Sequence, residues 1–326
     1  MTISVSVVIP VYNSTATLRP LIERLIAVLE GLDRSFEIVC VDDGSRDDSW
    51  GLLCQLQREH PDQIVAIQLM RNFGQHNALM CGFRHTQGRF VVTLDDDLQH
   101  PPEELSKLLD AIETSDCDLI YGNADRRQHR AWRNLGSWLV NTAYRAMFRT
   151  RVTISSFRIM RRELLQAIFP YTLNYAFVDG LLAWNTQRIG EVTVEHHPRQ
   201  AGRTGYSLSK LVVLALNLIT NFSLLPLQVV SLVGFVTATA GLATGGYYVV
   251  RYIQDSVSMP GYASTIVSIL VLGGVQLLSL GIIGEYLGRL HLNVNRKPQY
   301  TIRAVSGAET PADTAILEAA RRRKAR

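Results

Sequence analysis

The chain has 326 residues, 47% of them apolar, and a formal net charge of +4. That length accommodates two domains or one large one, and the basic clusters lack the aromatic interleaving or reader motif of nucleic-acid binding, so no nucleic-acid partner is expected. The four cysteines (Cys40, Cys54, Cys81 and Cys117) form no C-x-x-C and have no histidine at zinc spacing, which leaves reduced thiols packed as small apolar residues.

In chain order, residues 5–11 (VSVVIPV) are apolar and β-branched and predict a strand, stopped by Pro10 and the turn-forming Asn13 and Ser14. No basic n-region or cleavage site accompanies it, so the start reads as a strand and not as a signal peptide. From about residue 15 to 30, Leu18, Leu21, Ile22, Leu25, Ile26 and Leu29 share one face of a helix that Gly31 closes. A second strand over 36–41 runs straight into Asp42, Asp43, Gly44 and Ser45. A helix over 49–59 then leads to a third strand at 64–69. Residues 71–88 (RNFGQHNALMCGFRHTQG) read as a loop and a short helix ending near Gly88.

The stretch TLDDDLQHPPEE, residues 93–104, carries the strongest chemical signal. The apolar run 90–94 before it is too short for a helix and lacks polar alternation, as in a strand buried on both faces. It ends in Asp95, Asp96 and Asp97. An extended backbone aims Asp95 and Asp97 one way and Asp96 the other. Two carboxylates converging at a strand end repel each other unless a cation sits between them. Oxygen donors of this kind suit Mg²⁺ or Mn²⁺, which keep waters and bind substrate phosphates. Gln99 adds a neutral carbonyl, and Pro102, Glu103 and Glu104 suit the first turn of a helix reaching about residue 114. Read without its flanks, the same stretch is a solvated acidic turn with a helix cap.

DLIYG, at 118–122, predicts a further strand. Strands alternating with helices of this length imply an α/β fold with a mainly parallel, doubly wound sheet. Ligands of such sheets bind beyond the carboxyl ends of the strands, where VIPVYN, VDDGS and TLDDDLQ all bring their polar tips. No G-x-G-x-x-G or P-loop motif occurs, so a phosphate-bearing ligand must be held by a metal and basic side chains. His76, His100, His196 and His197 lack metal-ligand spacing and read as surface or loop residues.

Residues 211–250 and 256–284 contain no Asp, Glu, Lys or Arg, and each exceeds the roughly 20 residues needed to cross a bilayer core. Separated by the short RYIQD segment, they predict a transmembrane hairpin. Lys and Arg gather at 199–210, at 289–303 and in the terminal RRRKAR, flanking the hairpin on one side as the positive-inside rule and anionic headgroups favour.

VIPVYN, VDDGSRDDS, RNFGQHNALMCGF and TLDDDLQHPPEE resemble the successive motifs of inverting glycosyltransferases of the GT-A fold, and within them the polyprenyl-phosphate glycosyltransferases. The likeness covers about residues 5–300 and includes GEYLGRL at 284–290. It implies a cytosolic catalytic domain at 1–209, an interfacial helix at 210–223, two transmembrane helices within 224–290 and a cytosolic basic tail at 291–326. The tail is expected to be mobile from about residue 306. The resemblance further implies a multi-pass inner-membrane protein that assembles as a homo-oligomer, a tetramer by analogy.

By the same resemblance, Pro10, Tyr12 and Asp43, with Asp42 beside them, line the base-and-ribose pocket. Asp95, Asp97 and Gln99 hold Mg²⁺ or Mn²⁺ against the diphosphate of a nucleotide sugar. UDP is favoured as the nucleotide, and no motif encodes the sugar. Arg133, with Ser137 and Arg126 or Arg127, binds the phosphate of the polyprenyl acceptor. RQAGRTGYS, at 199–207, matches a basic loop that closes over the donor, with Arg199, Gly202 and Thr204 in register.

There are departures. Ser14 replaces a usual Glu. Gly205 stands where many relatives carry Lys, with Arg203 as a substitute. Ser156 stands where relatives often have Asp. From the residues alone, the cluster Arg126, Arg127, Arg130 and Arg133 is either a solvated helix face or a phosphate clamp following the DLIYG strand. A phosphate acceptor is already anionic and needs no general base, whereas a hydroxyl acceptor does. Asp179 is the candidate base, an orienting role fitting a phosphate acceptor better. The competing readings are a processive polysaccharide synthase, whose Q-x-x-R-W signature is only approximated by QHRAW at 128–132, and a non-enzymatic lipid-sugar transporter or scaffold.

Overall fold

The computed structural model describes residues 3–124, 152–172, 176–197, 225–254, 262–294 and 298–306. The chain divides into two units, residues 1–206 together with 298–326, and residues 207–297.

The first unit is built on strands β1 (Val5–Val11), β2 (Phe36–Asp42), β3 (Ile64–Leu69) and β4 (Phe90–Thr93), parallel neighbours in the order β4-β1-β2-β3. β1 and β4 are buried throughout, which is why those runs show no polar alternation. Helices α1 (Thr15–Gly31), α2 (Ser49–Glu59), α3 (Gln75–Arg84) and α4 (Leu105–Thr114, after a tight turn at Pro102–Glu104) make the crossovers. The apolar stripe of α1 buries Leu18, Leu21, Leu25 and Leu29 in one cluster with β1, β2 and α4.

Pro10 does not stop its strand. Val8 accepts from the Leu94 N–H and Val11 from the Asp43 N–H, so Pro10, in phase with Val8, turns its missing N–H toward the β4 side. Pairing with β4 ends at Val8↔Thr93, so no ladder bond is lost there. Helix α3 ends at Arg84 and not near Gly88. His85 Nδ1 bonds the Cys81 carbonyl at 2.8 Å and Thr86 Oγ1 donates to the Phe83 carbonyl at 2.8 Å, while the Gly88 N–H is drawn to Ser6 Oγ at 2.8 Å.

The remaining elements are β5 (Leu119–Ala124), β6 (Arg158–Arg161), α5 (Arg162–Ile168), α6 (Val178–Asn185), β7 (Ile189–Val194) and β8 (Ile302–Ser306). The full sheet order is β7-β5-β6-β4-β1-β2-β3-β8. Four of its seven pairings are parallel and three antiparallel, because β6 is inserted antiparallel between β4 and β5 and β8 runs antiparallel to β3. The span 291–326, expected to be a basic tail, therefore contains a sheet strand. Its alternation of half-buried and exposed residues is that of an edge strand.

The second unit contains α7 (Leu225–Ile253) and α8 (Tyr262–Val294), which touch each other. Residues Leu227–Tyr247 (mean hydropathy 1.6) and Val271–Gly288 (mean hydropathy 1.4) are long and apolar enough to cross a membrane. Their apolar side chains face outward; Leu242 is 80% exposed and Leu277 72%. Outward apolar side chains on that scale suit a lipid solvent and not a water-facing surface. The proposed interfacial helix at 210–223 lies outside the described residues.

Candidate active site

β1, β2 and β4 end at one edge of the sheet, and their tips build the site. Past Thr93 the chain leaves the ladder, and Asp96 turns to β1. Its Oδ2 accepts the Tyr12 N–H at 3.0 Å and the Ser14 hydroxyl, while its backbone carbonyl accepts Thr17 Oγ1 at 2.6 Å. Asp96 thus fastens the loop to the tip of β1. The following Leu98 has φ 59°, a left-handed turn that a branched side chain adopts only when its neighbours hold it there.

Asp95 sits among groups the sequence did not reveal. Its Oδ1 accepts Gln75 Nε2 at 2.7 Å from the start of α3, and the Ser156 hydroxyl bonds it from the segment just before β6. Burial pushes its carboxyl up to about 6. The Asp97 and Asp96 charges add to the rise, while the Ser156 hydrogen bond and the Arg158 charge oppose it. Asp97 accepts the Gln99 N–H at 3.1 Å and the Gln99 side-chain amide. Among the described residues no three His, Cys, Asp or Glu side chains converge as a metal cage. Two carboxylates and an amide oxygen are a hard donor set suited to a Mg²⁺ or Mn²⁺ ion that takes its remaining ligands from phosphate and water.

At the tip of β1, Pro10 is buried and Tyr12 is 41% exposed, and the tip of β2 lies beside them. Asp42 accepts the Ser45 N–H at 3.2 Å and Gln68 Nε2 at 3.3 Å. Asp43 spends its two oxygens on the N–H groups of Phe73 and Gly74, at 2.7 and 2.8 Å, and so secures the loop that opens α3. Burial pushes Asp43 up to about 6 against the pull of these two bonds. Gly44 is required between them: its φ is +68°, and a Cβ there would lie 2.5 Å from the Arg71 carbonyl carbon.

Asp179, the candidate base, is buried at the start of α6. Its Oδ1 accepts the Tyr121 hydroxyl at 2.8 Å and the guanidinium of Arg158, itself fully buried. His76 and His100 are not surface residues. His76 is half-buried, packing edge-on against Phe177 with ring centroids 5.3 Å apart. His100 is buried against Phe157 and His196, and burial lowers it to about 4. The His197 N–H bonds the Gln99 carbonyl at 2.8 Å and the Glu195 N–H bonds Glu104 at 3.0 Å, lacing the segment after β7 to the loop that carries Asp97. Arg126, Arg127, Arg130, Arg133, Ser137, Arg199 and Arg203 lie outside the described residues.

The family model for glycosyl transferase family 2 matches residues 6–169, covering β1 to α5 and the whole Asp95–Gln99 loop. The chain belongs to glycosyl transferase family 2. The transferase also matches the GtrB C-terminal hairpin over residues 225–290, the span of α7 and α8. It is 38% identical over 314 residues to an uncharacterized glycosyltransferase of Synechocystis, covering 95% of this chain and 98% of that one. It is 37% identical over 314 residues to the undecaprenyl-phosphate 4-deoxy-4-formamido-L-arabinose transferase of Yersinia enterocolitica, covering 94% of each. With the protein of that name in Pseudomonas syringae it shares 35% identity, over 96% of this chain and 94% of the relative. Among solved structures, glucosyl-3-phosphoglycerate synthase of Mycobacterium tuberculosis with Mn²⁺, UDP and phosphoglyceric acid has the same fold at a TM-score of 0.50. That match has 20% identity and covers 67% of this chain and 76% of that one.

Proposed function

We propose that this transferase moves a sugar, with inversion, from a nucleotide sugar to a polyprenyl phosphate of the undecaprenyl type at the cytoplasmic face of a membrane. The observation that carries the reading is the pair Asp95 and Asp97 in the loop at the carboxyl edge of the sheet, where burial, with the Asp97 and Asp96 charges beside it, pushes Asp95 up to about 6. The names of the relatives from Yersinia and Pseudomonas and the outward apolar faces of α7 and α8 support the lipid acceptor. UDP is the favoured nucleotide.

Asp95, Asp97 and Gln99 would hold Mg²⁺ or Mn²⁺, Gln99 turning its amide over to offer its oxygen. The cation's chemistry is to neutralise charge gathering on the departing diphosphate, an interaction stronger in the transition state than in the ground state. Tyr12 and the Asp42–Asp43 tip would receive the nucleoside, and Arg133 with Ser137 and Arg126 or Arg127 would aim the acceptor phosphate. That phosphate is anionic at neutral pH, its second pKa being about 6, so the attacking oxygen needs no proton removed. Asp179, already engaged by Arg158 and Tyr121, fits a reaction without a general base.

The test uses the purified full chain in detergent with undecaprenyl phosphate and a panel of UDP- and GDP-sugars, with and without chelator. Formation of a lipid-linked sugar that stops on chelation supports the proposal. Donor hydrolysis without lipid product, or elongation to a polymer, removes it in favour of another acceptor or of a processive synthase.

A further inference from the structure

Arg158 is a buried cation one strand away from the acidic loop. β4 and β6 are antiparallel and their last pair sets Thr93 opposite Arg158, with Asp95 two residues past it on one chain and Ser156 two residues before it on the other. Arg158 therefore stands at the end of the ladder, where the acidic loop begins. Ser156 bonds Asp95, and the Arg158 charge acts on Asp95. The guanidinium nevertheless turns to Asp179, whose Oδ1 also accepts Tyr121 at 2.8 Å. Its Nε has no hydrogen-bond partner among the described residues, so the group is only partly satisfied where it stands. His76 completes the surroundings: its Nδ1 accepts the Val178 N–H at 3.5 Å, and burial lowers its pKa.

We propose that Asp179 and Tyr121 are positioning residues that hold the Arg158 guanidinium away from Asp95, keeping that carboxylate available to a divalent cation. The inference rests on the metal role given above to Asp95 and Asp97. Without Asp179, the acidic-loop carboxylate on which the Arg158 charge acts is Asp95. An Arg–carboxylate bond formed there competes directly with Mn²⁺ for the same oxygens. Asp179 then acts on metal affinity through Arg158 and touches neither donor nor acceptor. Ser156 belongs to the same arrangement, since a neutral hydroxyl bonded to Asp95 adds no further charge to attract the guanidinium.

The experiment is Mn²⁺ binding to the purified full chain, read by the electron paramagnetic resonance signal of free Mn²⁺, without sugar nucleotide or lipid. Asp179→Asn is expected to raise the Mn²⁺ dissociation constant about tenfold or more, with turnover regained at high Mn²⁺. The double variant Arg158→Met with Asp179→Asn removes the competing cation, and binding should return to within about threefold of the original, a coupling that loss of packing alone does not produce. An unchanged constant in Asp179→Asn, or no recovery in the double variant, overturns the inference while leaving the metal site standing. Absence of Mn²⁺ binding in the unaltered protein, or binding indifferent to Asp97→Asn, overturns the metal reading and the inference with it. Should Asp179→Asn fail to fold, Tyr121→Phe removes one restraint on Asp179 and is expected to raise the constant about threefold, and no change there overturns the inference.

Discussion

At the scale of single residues, the site divides into side chains that build loops and side chains left to meet a ligand. Asp96 and Asp43 spend their oxygens on backbone and hydroxyl donors of neighbouring loops, whereas Asp95 and Asp97 each accept a side-chain amide, of Gln75 and Gln99, that can turn away. Asp97→Asn is therefore expected to keep the melting temperature and lower turnover by on the order of 10²-fold or more. Full turnover of that variant in excess chelator would contradict the metal assignment. Asp43 makes a prediction about pH. Its folded pKa, about 6, is raised above that of an unfolded aspartate, so the folded form binds the proton more tightly. Its stabilising contribution is whole below the unfolded pKa of about 4 and is lost as pH rises through about 6. Denaturant midpoints between pH 4 and 7 should fall through this window and flatten in Asp43→Asn; parallel profiles would show that the carboxyl does not titrate there. Arg133→Ala is expected to raise the KM for polyprenyl phosphate by the loss of a charge-assisted contact worth roughly 1.5–3 kcal/mol, with donor binding retained. Equal weakening of donor and acceptor, measured by separate titrations, would reassign Arg133 to the nucleotide side.

At the scale of elements, legibility followed the simplicity of the environment. β1, β3 and α2 lie where their apolar patterns put them, because each run serves one kind of surroundings along its length. β6 was not foreseen: its four residues begin and end in arginine, and only the chain contact with Asp179 makes Arg158 a core residue. β8 was hidden for the opposite reason, since an edge strand half in solvent carries charge and small residues that resemble a tail. Within the site, the Asp95–Asp97 pair was readable from spacing. The Gln75 and Ser156 contacts were not, as they join residues 20 and 61 positions from Asp95 and leave no local pattern. β8 can be tested directly. Ending the chain at residue 297 removes the Met70 N–H bond to the Thr301 carbonyl and the β3 pairing, exposing a strand edge. A melting temperature lower by on the order of 5 °C and concentration-dependent aggregation are expected. An unchanged melting curve and a monodisperse profile would mean that β8 adds nothing to the sheet.

At the scale of the whole molecule, the two long helices interrupt the sheet unit in sequence, which requires the chain to leave that unit and come back. If α7 and α8 cross a membrane as a hairpin, single cysteines at positions 256 or 258 should react with an impermeant thiol reagent only from the face opposite the sheet unit. Reaction solely from the side of the sheet would exclude a spanning hairpin.

The return of the chain through β8 also imposes an order on biosynthesis. The Arg303 side chain reaches the Met70 carbonyl at 3.3 Å across 233 positions of sequence. At ribosomal speeds of about 5–20 residues per second, β3 waits roughly 10–50 s for its outer neighbour. All of α7 and α8 is made in that interval. The sheet therefore finishes only after the apolar helices have left the ribosome, and β3 spends the delay without its outer partner. Completion of the sheet thus follows synthesis of both long apolar helices.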